Sequence, residues 1–234
     1  MLKARIALEQ QQEARMDDMV QLNVQPTTYR RFLELQQLLN LGHPDSLAQP
    51  VGENLAEIAC QIVEQVFGYL SQISAEQQHF ESEHTVEQII ATIRKHLPWS
   101  MQLLSNERLT LLMNDLAAMT SVHDGQTWLH YPIAPALARK FTAQCQNLTD
   151  DPSKIPAAFA TVIEIIDQGV TQLVRRPKQK LKFNFVVDKS LAGVIGLTTQ
   201  MGYKRLEKMA KQLSPEQAQA YLQHFLKFIH INTP

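Results

Sequence analysis

Two Glu-x-x-His pairs, Glu76 with His79 and Glu81 with His84, have the spacing by which a helix offers ligands to a carboxylate-bridged metal centre. Such a centre takes its pairs from facing helices, whereas these two fall within nine residues of each other. A capping signal at Thr85 puts the second pair at a helix entrance, so the cluster reads as a solvated acidic loop and no metal site is assigned. His224 and His230 lie on different faces of the last helix and read as core-edge or surface residues. Cys60 and Cys145 are each followed by Gln, with no Cys or His at ligand spacing. They read as small buried hydrophobes in a reducing cytoplasm. No serine sits in a glycine-flanked nucleophile turn, and no phosphate loop or dinucleotide fingerprint occurs. Gly193 and Gly196 form a GxxG, but an apolar helical pattern runs through it where a KH-type clamp needs a loop. In the polar turn His123, Asp124, Gly125, the Asp-Gly pair serves the backbone. No catalytic residue is assigned, and no cofactor is implied.

The chemistry that remains is electrostatic. Of 22 basic and 23 acidic residues, ten basic ones stand between positions 175 and 211 against only Asp188 and Glu207, so this segment carries +8 and everything else −9. A net charge of −1 thus hides a dipolar protein. Arg175, Arg176, Lys178, Lys180 and Lys182, extended by Lys204, Arg205 and Lys208, are the candidate residues for binding an anion or a partner. Two readings stand side by side. Internal pairing would lay the segment over Glu53, Glu57, Glu64, Glu76, Glu81, Glu83 and Glu87. An exposed face would take nucleic-acid backbone, a phosphorylated ligand, anionic lipid or an acidic protein. Phe183, Phe185 and Tyr203, interleaved with the charges, are expected to pack inward in preference to stacking on bases.

The elements that must hold these groups are helices. With 234 residues, 44% hydrophobic and 19% charged, the chain can bury a sizeable core, while 8 glycines and 7% aromatics argue against a sandwich, a barrel or a glycine-looped nucleotide fold. Residues 1–24 read as a polar helix whose thin stripe, Leu2, Ile6, Met16, Met19 and Val20, either docks on the body or meets another chain. The charged start has no apolar signal-peptide core, and nothing is expected to span a membrane. Helices follow at 28–41, at 52–73 with the sustained period Leu55, Ile58, Ala59, Ile62, Val63, Val66, Phe67, Leu70, and at 86–97, closed by Pro98. Ser105 opens another. Segment 128–148 has an irregular start, with its helix beginning near Pro135. The run 155–174 stops at Arg175, Arg176 and Pro177, and Ser214, Pro215 and Gln217 cap a final helix reaching about Ile231. Between these, 178–187 alternates like a strand without a visible partner. It is read as helix, with an extended arm completed by another chain as the alternative. Residues 189–213 form a helix whose Gly193, Gly196 and Gly202 are expected to pack closely against a neighbour.

Three stretches carry a family resemblance: Ile62 to Gly68 (IVEQVFG), Ile93 to Pro98 (IRKHLP) and Leu173 to Pro177 (LVRRP). In this order they resemble an uncharacterised group of bacterial all-helical proteins with an FFLxxLYG-like helix end, an LLP-type helix and an LVRxP element before a glycine-containing helix. The resemblance implies a cytoplasmic helical protein and carries no site residue. The expected architecture is an all-α, single-domain bundle of about eight to ten helices, with residues 1–25 as a polar helix or interaction arm and 26–234 as the helical domain. The expected function is that of a non-enzymatic interaction or regulatory protein acting through a protein partner or self-association as a homodimer. Binding of nucleic acid or another polyanion is the first alternative, and an enzyme with a dispersed site is the second.

Overall fold

The chain enters the fold as a strand. In the computed structural model, which describes residues 18–75, 81–146, 148–183 and 185–231, β1 (Met19–Val24) turns Val20, Leu22 and Val24 into the core. A helix was expected to end here. The alternation Val-Gln-Leu-Asn-Val decides for a strand, because only a period of two buries those three residues on one face. The remainder of that expected helix, 1–17, lies outside the described residues.

The turn expected at Asp124 and Gly125 forms, and it closes a hairpin. Both residues have positive φ, 53° and 73°, the geometry of a two-residue type I′ turn. It joins β2 (Thr120–His123) to β3 (Gln126–Pro132) as a hairpin. The supposedly irregular start at 128 is therefore a strand that buries Thr127, Leu129 and Tyr131. β1 pairs antiparallel with β3 along its whole length, and its first two residues pair with β4 (Ile229–His230). The sheet order is β2-β3-β1-β4, and the last helix stops short of Ile231 to let the chain join the sheet.

Nine α-helices among the described residues complete the chain. α1 (Pro26–Asn40) starts on its proline and ends at Gly42, whose φ of 71° breaks the helix. α2 (Ala48–Ala75) and α3 (Glu81–Met101) pack lengthwise. A Cβ on Gly52 would lie 2.6 Å from the Cα of Pro98, so glycine permits the closest approach of the two helices. Pro98, expected to end α3, lies inside it, and Thr85 lies inside it rather than at its cap. The turn that lacks this N–H is the one packed against Gly52 of α2. α4 (Asn106–Ala117), α5 (Pro135–Gln144) and α6 (Ile155–Val170) follow.

α6 does not stop at Pro177. A wide π turn, Thr171–Arg175, opens the hydrogen-bond ladder, and α7 (Arg176–Leu181) takes Pro177 into its first turn. The chain breaks only at Lys182, in the left-handed region at φ 46° and ψ 57°, before α8 (Phe185–Gln212). The helical reading of 178–187 thus holds on either side of one break, and the extended arm does not form. Ser214 and Gln217 make the expected capping box of α9 (Pro215–Leu226). The continuous run Pro152–Leu181 is long and apolar enough, by length and composition, to cross a bilayer. It is a core helix, however, with Phe159, Val162 and Ile165 fully buried and Asp167 paired to Arg175. No described helix is a convincing membrane span.

The result is a predominantly helical single domain, as expected, with a small sheet added. Its apolar residues form two clusters. One gathers the sheet, the second half of α2, α5, α6, the end of α8 and α9 around Phe141, Phe159, Tyr221 and Phe225. The other gathers α1, the first half of α2, the end of α3 and α4 around Phe32, Leu35, Leu109 and Met113, with Leu181 of α7.

Candidate functional site

A chamber of about 340 Å³ lies where the two cores meet. β1 and β3 form its floor with Val20, Leu22, Leu129 and Tyr131, and α2 supplies Ile58, Ala59, Ile62 and Val63. α3 contributes Ile93, His96 and Leu97, the α6–α7 run contributes Ile166, Val170, Leu173 and Val174, and α8 closes the space with Leu191, Val194, Ile195 and Thr198. The periodic faces that the sequence marks as core are therefore only half-buried at Ile58, Ile62, Val63, Leu97, Ile166, Val170, Val194 and Ile195. These side chains surround a space that protein does not fill. Val66 and Phe67 of α2 and Pro177 of α7 line it as well.

The chamber's polar groups are few, and most are already engaged. Ser100 donates to the Leu97 carbonyl at 2.7 Å, and Thr198 and Thr199 donate to the carbonyls of Val194 and Ile195 at 2.9 and 2.6 Å. The Tyr203 hydroxyl donates to Asp167 at 2.7 Å, and burial together with that carboxylate raises its pKa. The Tyr131 hydroxyl reaches the Ile165 carbonyl at 3.4 Å, and burial raises its pKa as well. Its ring lies against Gly169, where a Cβ would come within 2.6 Å of Cζ. Lys178 donates to Asp188 at 2.6 Å. His96 alone of the titratable lining residues has no hydrogen-bond partner among the described residues. Among the described residues no carboxylate lines the space.

The eight basic residues singled out from sequence do not share one role. Arg175 donates to Asp167 at 2.8 Å and to Thr171 at 2.9 Å, and Arg176 donates to Gln172. Lys180 pairs with Asp115 at 2.6 Å. Arg205 is 5% exposed and lies close enough to Tyr221 to act on its hydroxyl, which places it in the core. Lys182, Lys204 and Lys208 are exposed. Pairing therefore does occur, with Asp167, Asp188 and Asp115 as the partners of Arg175, Lys178 and Lys180, while Glu76 and the side chains of Glu81 and Glu83 lie outside what the structure describes. Glu57 is instead 3.6 Å from Arg94, and Glu87 is 3.4 Å from His84. Of the aromatics, Phe183 and Tyr203 line the chamber, while Phe185 points outward at 80% exposure.

The remaining sequence candidates resolve as follows. Cys60 and Cys145 are buried free thiols, and burial pushes Cys145 up to about 12. Glu76 and His79 lie outside the described residues, and no group of three metal-ligating side chains occurs among those described. Gly202 packs against Phe67, where a Cβ would lie 3.1 Å from its ring. Gly193 and Gly196 sit on the outer side of α8 with open space around them, so the close packing expected of them is not found. Sequence reasoning missed the chamber altogether, because a residue lining a cavity keeps the same period as one packed in a core. Comparison with protein-family models, with curated proteins and with solved structures gives no match to this chain.

Proposed function

We propose that this is a non-enzymatic binding protein with a regulatory role, whose interior chamber takes up one apolar small molecule. The observation that carries the reading is the chamber itself. A space of about 340 Å³ that opens to solvent and is walled almost wholly by apolar side chains leaves that apolar surface against water unless a ligand covers it. A chain under no demand to bind would fill it with larger side chains. Three of its four titratable lining groups are tied to protein partners, which favours holding a ligand over transforming one. An engineered apolar cavity of roughly 150 Å³ takes benzene, so this one suits a molecule of about a dozen non-hydrogen atoms. Two buried free thiols fit a reducing, cytoplasmic setting.

The test is uptake of the fluorophore 1-aminoanthracene by the full chain. Saturable binding at one site, lost in the chamber-filling variants Ala59→Phe and Val194→Phe while both still melt cooperatively, is the expected result. Absence of saturable binding, or equal binding by both folded variants, would overturn the reading.

A further inference from the structure

The segment that carries the unusual positive charge is also the segment that lines one end of the chamber. Val174, Pro177, Lys178, Leu181 and Phe183 all face into it. Val174 is 39% exposed, and among the described lining residues it alone is exposed rather than buried or half-buried, so the chamber reaches the surface there. The same segment carries the exposed cations Arg176, Lys180, Lys182 and Lys189, of which Arg176 donates to Gln172 and Lys180 pairs with Asp115. One cation belongs to the wall itself. The Lys178 side chain is 15% exposed, and its ammonium is held by Asp188 of the first turn of α8.

We infer that the ligand is a single-chain amphiphile with an anionic head, its tail in the chamber and its head on the Lys178 ammonium in place of Asp188. This rests on the chamber being a ligand site and deepens it. An apolar chain satisfies the walls, and an anionic head needs one buried cation at the rim, which Lys178 provides. In the free protein Asp188 keeps that cation from being buried without a counter-charge. An incoming carboxylate or phosphate takes over the pairing, and Asp188, whose side chain is 47% exposed, passes to water. The exposed lysines of the segment attract the anion before it docks.

The experiment is competition against bound 1-aminoanthracene by dodecanoate, dodecyl phosphate, dodecanol and dodecyltrimethylammonium on the full chain. The inference expects an anion to bind at least about tenfold more tightly than dodecanol, the ratio of a charge-assisted contact to a neutral one. The stronger of the two anions identifies the head. Lys178→Met should remove that preference and leave dodecanol affinity within about twofold of wild type, whereas His96→Leu should retain it. Asp188→Asn, by removing the competitor for Lys178, should tighten the anion relative to dodecanol. If Lys178→Met fails to fold, Asp188→Asn decides alone. Equal binding of anion and alcohol to wild type, a preference that survives Lys178→Met or vanishes in His96→Leu, or no gain in Asp188→Asn would each overturn the assignment. If no amphiphile and no fluorophore binds the folded chain, the chamber is not a ligand site at all, which is a separate failure.

Discussion

Two buried groups give the sharpest tests at the level of single residues. Cys145 is 1% exposed and its thiol lies 3.9 Å from the Leu222 carbonyl. Burial raises its pKa from 9.0 to about 12. Between those values the unfolded thiol has lost its proton and the native one keeps it, so stability is complete below about 9 and falls as pH rises towards 12. Thermal melts should therefore show a decline above pH 9 that is shallower in Cys145→Ala, with Cys60 and the buried tyrosines, also raised by burial, contributing to what is left. The same thiol should resist alkylation in the native chain and react on unfolding. Gly169 is the second case. A methyl there collides with the Tyr131 ring, which also receives the backing of the sheet, so Gly169→Ala should cost about 1–3 kcal/mol in denaturant melts. That sign is opposite to the usual gain from replacing a helical glycine by alanine. Asp-Gly at 124 and 125 was legible as a turn from sequence, whereas the demand for glycine at 169 was not, because it comes from a ring 38 positions away.

Among the elements, α8 is the one whose sequence is weakest for its length. Gly193 and Gly196 lie in the half that closes the chamber, face open space, and each costs about 1 kcal/mol relative to alanine. Gly193→Ala with Gly196→Ala should stabilise the protein by about 1–2 kcal/mol and slow amide hydrogen exchange across the chamber-facing half of α8. No slowing there would mean that this half is already as well held as the core. The π turn between α6 and α7 shows the reverse relation. Arg175 and Lys178 hold their carboxylates on α6 and α8, so charge reversal of Arg175, Arg176 and Lys178 to Glu should lower stability by about 3–5 kcal/mol, most of it from a Glu at 178 that is largely buried and faces Asp188. If heparin or duplex DNA bound the wild type with steep salt dependence and the triple variant lost that binding without losing stability, the segment would be an anion face instead. The helices themselves were legible wherever a 3.6-residue period met a cap, as at Ser214 and Gln217. They were misread at Pro98 and Pro177, where the neighbouring α2 and an upstream π turn absorb the proline.

For the molecule as a whole, β1 lies between β3 and β4, so the start and end of the described chain are held in one sheet. A chain begun at Asp18 should keep its cooperative melt, and one begun at Gln25, which removes β1, should not fold; circular dichroism checks both. If residues 1–17 form the proposed interaction arm, sedimentation should find the full chain associated and the chain begun at Asp18 monomeric. A predominantly helical domain, most helix positions and caps, two buried thiols and the concentration of positive charge at 175–211 are legible along the chain. These follow from local period, from the shape of single residues and from composition, all of which are carried by neighbours along the chain. It takes the packed fold to show that Val20, Leu22, Leu129 and Tyr131 form one sheet floor, that Arg175, Lys178 and Lys180 have carboxylate partners, and that the apolar faces of the sheet, α2, α3, α6 and α8 border one space. A stripe shows that its residues avoid water. Whether they avoid it against one another or around a cavity depends on how far apart the helices stand, and that distance is set by contacts such as Gly52 on Pro98 and Gly169 on Tyr131, between residues remote in sequence.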